Sequence, residues 1–273
     1  MQFHVIKPSP ALAPYIQHYW ALETDMNDGI VKERIVPTGN IELMFHFRKP
    51  FCSVSPSGKS QTQYRSMISG INHSWFDVGT NGESGALAVT FFPGATSNFF
   101  NLPMMELEGK TLHLGDIVKN ESFYIEEQLA EAISLQDRIR IIESFLMKRL
   151  RPVAVNDAKL IQQGVLFVKN SKGQIRASEL AKNLYVTPKT LERKFACYVG
   201  NTPKQFIKIV RFHEVMTNLT TVKPGKLTQH AHENGYFDQA HFIRDFKAYS
   251  GYTPKELLSQ KYCNGLSQDT GQI

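Results

Sequence analysis

The strongest constraint on this chain's fold is a segment that occurs twice in its C-terminal half. SELAKNLYVTPKTLERKFACYVGNTPK begins at Ser178, and TQHAHENGYFDQAHFIRDFKAYSGYTPK begins at Thr228. Ala181 matches Ala231 at an offset of 50, while Leu191, Arg193, Phe195, Gly200, Thr202 and Pro203 match Phe242, Arg244, Phe246, Gly251, Thr253 and Pro254 at an offset of 51. The slip of one residue falls in a connection, where chain length varies most easily.

Each copy reads as two helices joined by a tight turn. A small residue, Ala181 or Ala231, lets the second helix pack closely on the first. The turns are expected at Leu184–Val186 and at Asn234–Phe237. Thr187 and Asp238 then stand where a side chain accepts backbone N–H bonds at a helix start, and Pro188 suits the first helical position. In the second helices Leu191 with Phe195, and Phe242 with Phe246, lie four apart on one inward face. Lys189, Glu192, Arg193 and Ala196 are left facing outward in one copy, and Gln239, Ala240, Ile243, Arg244 and Lys247 in the other. Thr202-Pro203-Lys204-Gln205 and Thr253-Pro254-Lys255-Glu256 have the spacing of capping boxes. Phe206, Ile209, Val210, His213 and Met216 then form the stripe of a single helix linking the copies.

Charge separates the two halves. Residues 1–150 carry a net charge of −3 and residues 151–273 a net charge of +9, which together give the +6 of the whole chain. A basic half with two capped reading helices points to double-stranded DNA, since such a helix can enter the major groove and meet base edges with its first residues. A membrane partner is not expected, because no apolar run approaches the ~18–20 residues of a span. Three scattered cysteines, Cys52, Cys197 and Cys263, fit a reducing compartment, and a cytoplasmic location on the bacterial nucleoid is expected.

The first ~115 residues read as β-rich, with short β-branched and aromatic segments punctuated by Gly, Pro and Asn. Glu42–Phe47 alternates as a strand with one buried face, and Cys52–Gln63 reads as a polar hairpin tip. Helical spacing takes over near Ser122, recurring at Ile125, Leu129 and Ile133 and then at Ile139, Ile142, Phe145 and Leu146, and ends before Arg151-Pro152. Residues 1–150 are therefore expected to form one domain, 151–262 a second, and 263–273 a loose tail. Trp20, Phe45 and Trp75 are candidates to line an apolar pocket for a small effector. No metal site, cofactor or catalytic residue is expected. His4, His18, His46, His73 and His113 are scattered, His230 and His232 lie two apart on a helix and so on different faces, and Ser97 sits in no nucleophile elbow.

GYFDQAHFIRDFKAYSGYTP, Gly235–Pro254, resembles the signature of the AraC/XylS-type transcriptional regulators. The resemblance covers about residues 156–258. RIVPTGNIELMF and FFPGATSNFFNLP resemble, more loosely, the cupin-like sensor domains of such proteins. The implied fold is α+β. A β-rich cupin-like N-terminal domain with flanking helices precedes an all-α domain of two helix-turn-helix subdomains on a linking helix. The implied function is sequence-specific DNA binding across two successive major grooves, under control of a small-molecule effector. Implied DNA-reading residues are Lys189, Thr190, Glu192, Arg193, Gln239, His241 and Arg244. A promoter element is the implied partner, with a homodimer, and RNA polymerase in the case of an activator. Tyr185 departs from the pattern, standing where such turns have glycine. The competing reading is a β-domain enzyme for a small molecule, fused to a DNA-binding module.

Overall fold

The computed structural model describes residues 1–219 and 227–264, without the side chains of residues 228, 230 and 260–264. The expected tail 263–273 lies outside the described residues except for the backbone of Cys263 and Asn264, and the His230 side chain also lies outside them.

The N-terminal strands are β1 (Gln2–Ile6), β2 (Ile16–Thr24), β3 (Ile30–Ile35), β4 (Glu42–His46), β5 (Cys52–Val54), β6 (Ser60–Thr62), β7 (Ser66–Ser69), β8 (Phe76–Asn81), β9 (Ser84–Phe91) and β10 (Thr111–His113). They form a six-stranded sheet in the order β1-β2-β9-β4-β7-β10 and a four-stranded sheet in the order β3-β8-β5-β6. The hairpin expected at Cys52–Gln63 is the β5–β6 pair, with Val54 opposite Ser60.

β4 departs from the expected half-buried strand, because both of its faces are covered. Leu43 and Phe45 join the main core with Ile125, Leu129, Ile139 and Ile142 from the helices behind the sheet. Met44 packs with Met67, Ala86 and Ala88 in a second cluster, against Val78 of the smaller sheet. Burial on two sides removes the polar alternation that a half-exposed strand shows.

After α1 (Gly115–Val118) come α2 (Glu121–Glu131) and α3 (Leu135–Arg149). Ile133 continues the spacing of Ile125 and Leu129 in the sequence, but α2 ends two residues before it and Ile133 is 96% exposed. Ser134 caps α3 by accepting the Asp137 N–H at 3.1 Å, which fixes the new start.

The C-terminal half begins with a helix not read from the sequence, α4 (Val155–Asn170). Its buried Ile161, Val165 and Val168 hold the i, i+4, i+7 spacing that could have marked it. Then follow α5 (Ala177–Asn183), α6 (Pro188–Tyr198), α7 (Pro203–Leu219), α8 (Leu227–Glu233), α9 (Gln239–Ser250) and α10 (Pro254–Asn264). The linking helix α7 is buried more broadly than the expected stripe. Phe206, Ile207, Ile209, Phe212, Val215 and Leu219 are all buried, because both units and the N-terminal half pack around it. The two halves share one continuous hydrophobic core.

Candidate nucleic-acid interface

Both reading helices start as the sequence predicts. Thr187 Oγ1 accepts the Thr190 N–H at 3.2 Å, and Asp238 Oδ1 accepts the His241 N–H at 2.7 Å. Each cap satisfies an otherwise orphaned donor and fixes which residue begins the helix, and hence which side chains face outward. The capping box at the start of α10 is complete, with Glu256 returning a bond to the Thr253 N–H. At the start of α7 the Asn201 side chain takes that role, accepting the Thr202 N–H at 2.8 Å.

The turns match up to Val186 and Tyr236, whose N–H groups donate to the Ala181 and Ala231 carbonyls, and the second turn then has one residue more. Tyr185 has φ 55° and its counterpart Gly235 has φ 74°. Gly235 adopts this left-handed conformation without steric penalty, whereas for tyrosine it is strained by roughly 1–2 kcal/mol.

Cations divide by face. On inward or lateral faces they are tied. Lys194 pairs with Asp157, Lys208 with Asp245 at 3.4 Å, and the Arg211 Nε donates to the Gly173 carbonyl at 2.8 Å. Asp157 also accepts from the Tyr198 hydroxyl at 2.7 Å, which pushes that phenol up to about 12, and Lys194 holds the Asp157 carboxyl below its usual range. Lys189 and Arg193 of α6, with Arg244 and Lys247 of α9, are exposed and have no ion-pair partner among the described residues. Four cations that could be screened by neighbouring carboxylates are thus left with their donors available on the two outward faces.

The other expected readers differ in placement. Glu192 and Gln239 are exposed on the same faces. Thr190 is partly covered, and its hydroxyl accepts from Thr187 at 2.9 Å. His241 is turned inward, with its ring 5.3 Å from Tyr236 and Nε2 3.2 Å from the Asp245 carboxylate.

Trp20, Phe45 and Trp75 do not meet. Phe45 faces the helices behind the large sheet, whereas Trp20 lies on the opposite face. Trp75 stands against the C-terminal half, stacked by the Arg34 guanidinium at 3.6 Å. Trp20 has polar company that the sequence did not reveal. Its Nε1 donates to Glu42 at 3.3 Å, and the Thr90 hydroxyl donates to the same carboxylate at 3.0 Å. His18, Thr90 and Glu42 form one cross-strand row over β2, β9 and β4. Burial pushes the Glu42 carboxyl up and the His18 imidazole down, and His18 Nε2 is enclosed without a hydrogen-bond partner.

A helix-turn-helix domain family model matches residues 180–260, spanning both copies of the repeat. The C-terminal half therefore carries a helix-turn-helix domain, in agreement with the repeat and its two capped helices. A second family model, described as a domain of unknown function, matches residues 4–113. No curated protein matches the chain. Among solved structures it is similar to fatty-acid-bound ToxT from Vibrio cholerae, at 12% identity over 91% of this chain and 98% of that one, with a TM-score of 0.45. It is also similar to the AraC-like transcriptional activator CuxR, at 12% identity over 79% of this chain and 87% of that one, with a TM-score of 0.25. Among the described residues no helix is long and apolar enough to cross a membrane.

Proposed function

We propose that the chain is a DNA-binding transcriptional regulator of the AraC type that reads two successive major grooves, one with α6 and one with α9, using Arg193 and Arg244 on base edges and Lys189 and Lys247 on phosphates. The observation that carries this reading is the pairing pattern. The outward cations of both helices make no close ion pair among the described residues, while their neighbours on the inner faces are tied to carboxylates or carbonyls. Arginine is the side chain best shaped for guanine O6 and N7, and two helices on one rigid link suit elements about one helical turn apart. Glu192 lies beside Arg193 and is suited to accept from a cytosine amino group.

Selection of bound DNA from a random pool tests this. The expected product is a pair of elements about ten base pairs apart. Arg193→Ala and Arg244→Ala should each weaken binding to it by about 1–3 kcal/mol and relax preference within one element only. Retention of the full sequence preference by both variants would sink the assignment. Two pairs in the selected DNA would indicate a dimer. For self-association the exposed Phe123 and Tyr124 of α2 are the surface we assign. RNA polymerase contact and a location on the nucleoid belong to the same reading.

The division of the chain into an effector half (1–150) and a DNA-binding half (151–262) is part of the proposal. The row of His18, Thr90 and Glu42 beside Trp20 supports a small effector that offers hydrogen-bond donors to a buried carboxyl. A hydroxylated or amino compound that raises the melting temperature of the protein should lose that effect with Glu42→Gln. An identical shift in the variant would place the effector elsewhere.

A further inference from the structure

Two side chains stand out beside the reading helices. Tyr185 is 96% exposed and Phe237 is 86% exposed, the two most exposed aromatic side chains among the described residues. Each sits in the turn of its unit, just before the residue that caps the reading helix. Tyr185 precedes Thr187 by two positions, and Phe237 immediately precedes Asp238.

The two turns arrive at an outward aromatic by different routes. In the first unit Tyr185 occupies the left-handed position where the second unit has Gly235, so the ring is displayed at the expense of backbone strain. In the second unit the left-handed position keeps its glycine. Phe237 is instead the extra residue that shifts the repeat offset from 50 to 51, and its neighbour Tyr236 is buried. Neither ring contributes to a core. An exposed aromatic is tolerated singly on any surface, but strain in one copy and an insertion in the other reach the same result at the same place in the repeat. Strain held at a site that gains no packing from it points to a role outside the fold.

We propose that Tyr185 and Phe237 are further DNA-contact residues. Each ring packs against the deoxyribose and base-methyl edge of the duplex beside the groove that its helix enters. The location supplies the occupant. The N-terminal end of a reading helix is the end that meets bases, and the exposed cations Lys189 and Arg244 follow within the first turns of the same two helices. The contact is made by the ring face rather than by a hydrogen bond, since Phe237 has no hydroxyl. The inference rests on the assignment of α6 and α9 as reading helices.

The test is DNA affinity of the full chain for its selected site across a range of salt concentrations, for Tyr185→Gly, Tyr185→Phe and Phe237→Ala, beside Arg193→Ala. Tyr185→Gly removes the ring and relieves the strain, so its melting temperature should rise while its affinity falls. The expected loss is about tenfold at every salt concentration, the size expected from exposing on the order of 60 Å² of apolar surface. An apolar contact releases no counterion, so the slope of log affinity against log salt should stay that of the wild type, whereas Arg193→Ala should flatten it. Phe237→Ala should behave like Tyr185→Gly, and Tyr185→Phe should bind like the wild type. Unchanged affinity in Tyr185→Gly and Phe237→Ala, with Arg193→Ala weakened, overturns this inference alone. Unchanged affinity in all of them overturns the reading-helix assignment as well. A flattened salt slope in Tyr185→Gly would also overturn it, because the loss would then be of phosphate contacts.

Discussion

Replacing Phe212 with alanine is expected to detach the second helix-turn-helix unit from the linking helix. Phe212 is fully buried on α7, with its ring 5.5 Å from Phe246 and 5.1 Å from Tyr249 of α9. Phe246 in turn lies edge-on 5.7 Å from Phe242, whose ring is tilted against Tyr236 at 5.1 Å. The ring is therefore the base of a pile of interlocked aromatic rings that holds α9 in place. A truncation of this kind removes the apolar surface and leaves a void that a rigid surround fills only in part, at a cost of about 3–5 kcal/mol. Chemical denaturation should show that loss, and the DNA footprint should shrink to the element read by α6. A loss below about 1 kcal/mol, or a footprint of unchanged length, would contradict the pile's role.

Arg34→Ala should loosen the N-terminal half from the same unit. The Arg34 guanidinium lies between the rings of Trp75 at 3.6 Å and Tyr252 at 4.3 Å. Its Nε donates to Asp77 at 2.8 Å, and Nη1 reaches the Ser250 carbonyl, at the end of α9, at 3.4 Å. One side chain thus joins the small sheet to the C-terminal end of a reading helix. Removing one member of a fully buried pair costs about 3–5 kcal/mol. The Arg34 side chain keeps 23% of its exposure, so about 2 kcal/mol is expected. The pH profile carries the signature. Arg34, assisted by Lys32, holds the Asp77 carboxyl below its usual range. Its contribution is therefore present above the ordinary carboxylate value of about 4 and is lost as pH falls further, through the folded-state value. In Arg34→Ala this acid loss should be smaller, and cleavage between the halves by limited proteolysis should be faster. Parallel stability–pH curves for the two proteins would show that the pair does not act in this way.

The C-terminal half was legible in the sequence because its signals are local. Caps at Thr187 and Asp238, prolines at Pro188, Pro203 and Pro254, and apolar pairs four apart each fix a helix boundary within a few residues. Tyr185 was legible as a departure, because the family pattern has glycine there, but the remodelled turn that the departure suggested is absent: Tyr185 keeps the left-handed conformation of Gly235. The β-rich half was readable as a class but not as a layout, since the pairing of β2 with β9 or β4 with β7 depends on residues far apart. His241 shows the limit at a site. Spacing placed it beside the reading face, but Tyr236 and Asp245, brought near by the fold, draw it inward. In the sequence Trp75 reads as a pocket residue because nothing near it indicates Arg34 or Tyr252, and the latter is contributed by the other half of the chain.

Gly200 and Gly251, the repeated glycines just past the ends of α6 and α9, have φ values of 82° and 78°. Both lie on the boundary between the halves. A Cβ on Gly200 would stand 2.8 Å from the Met104 carbonyl oxygen, and one on Gly251 would stand 2.6 Å from the Trp75 ring. The residue that ends each reading helix is therefore also the one on which the N-terminal half rests, at a separation that admits no side chain. Surfaces in contact that close cannot slide past one another by small steps, because close-packed interfaces separate or re-form rather than deform. A side chain at either glycine would therefore have to part the two halves at the end of the reading helix it follows, so the tightness of the boundary is set by the absence of a single carbon at each of two positions.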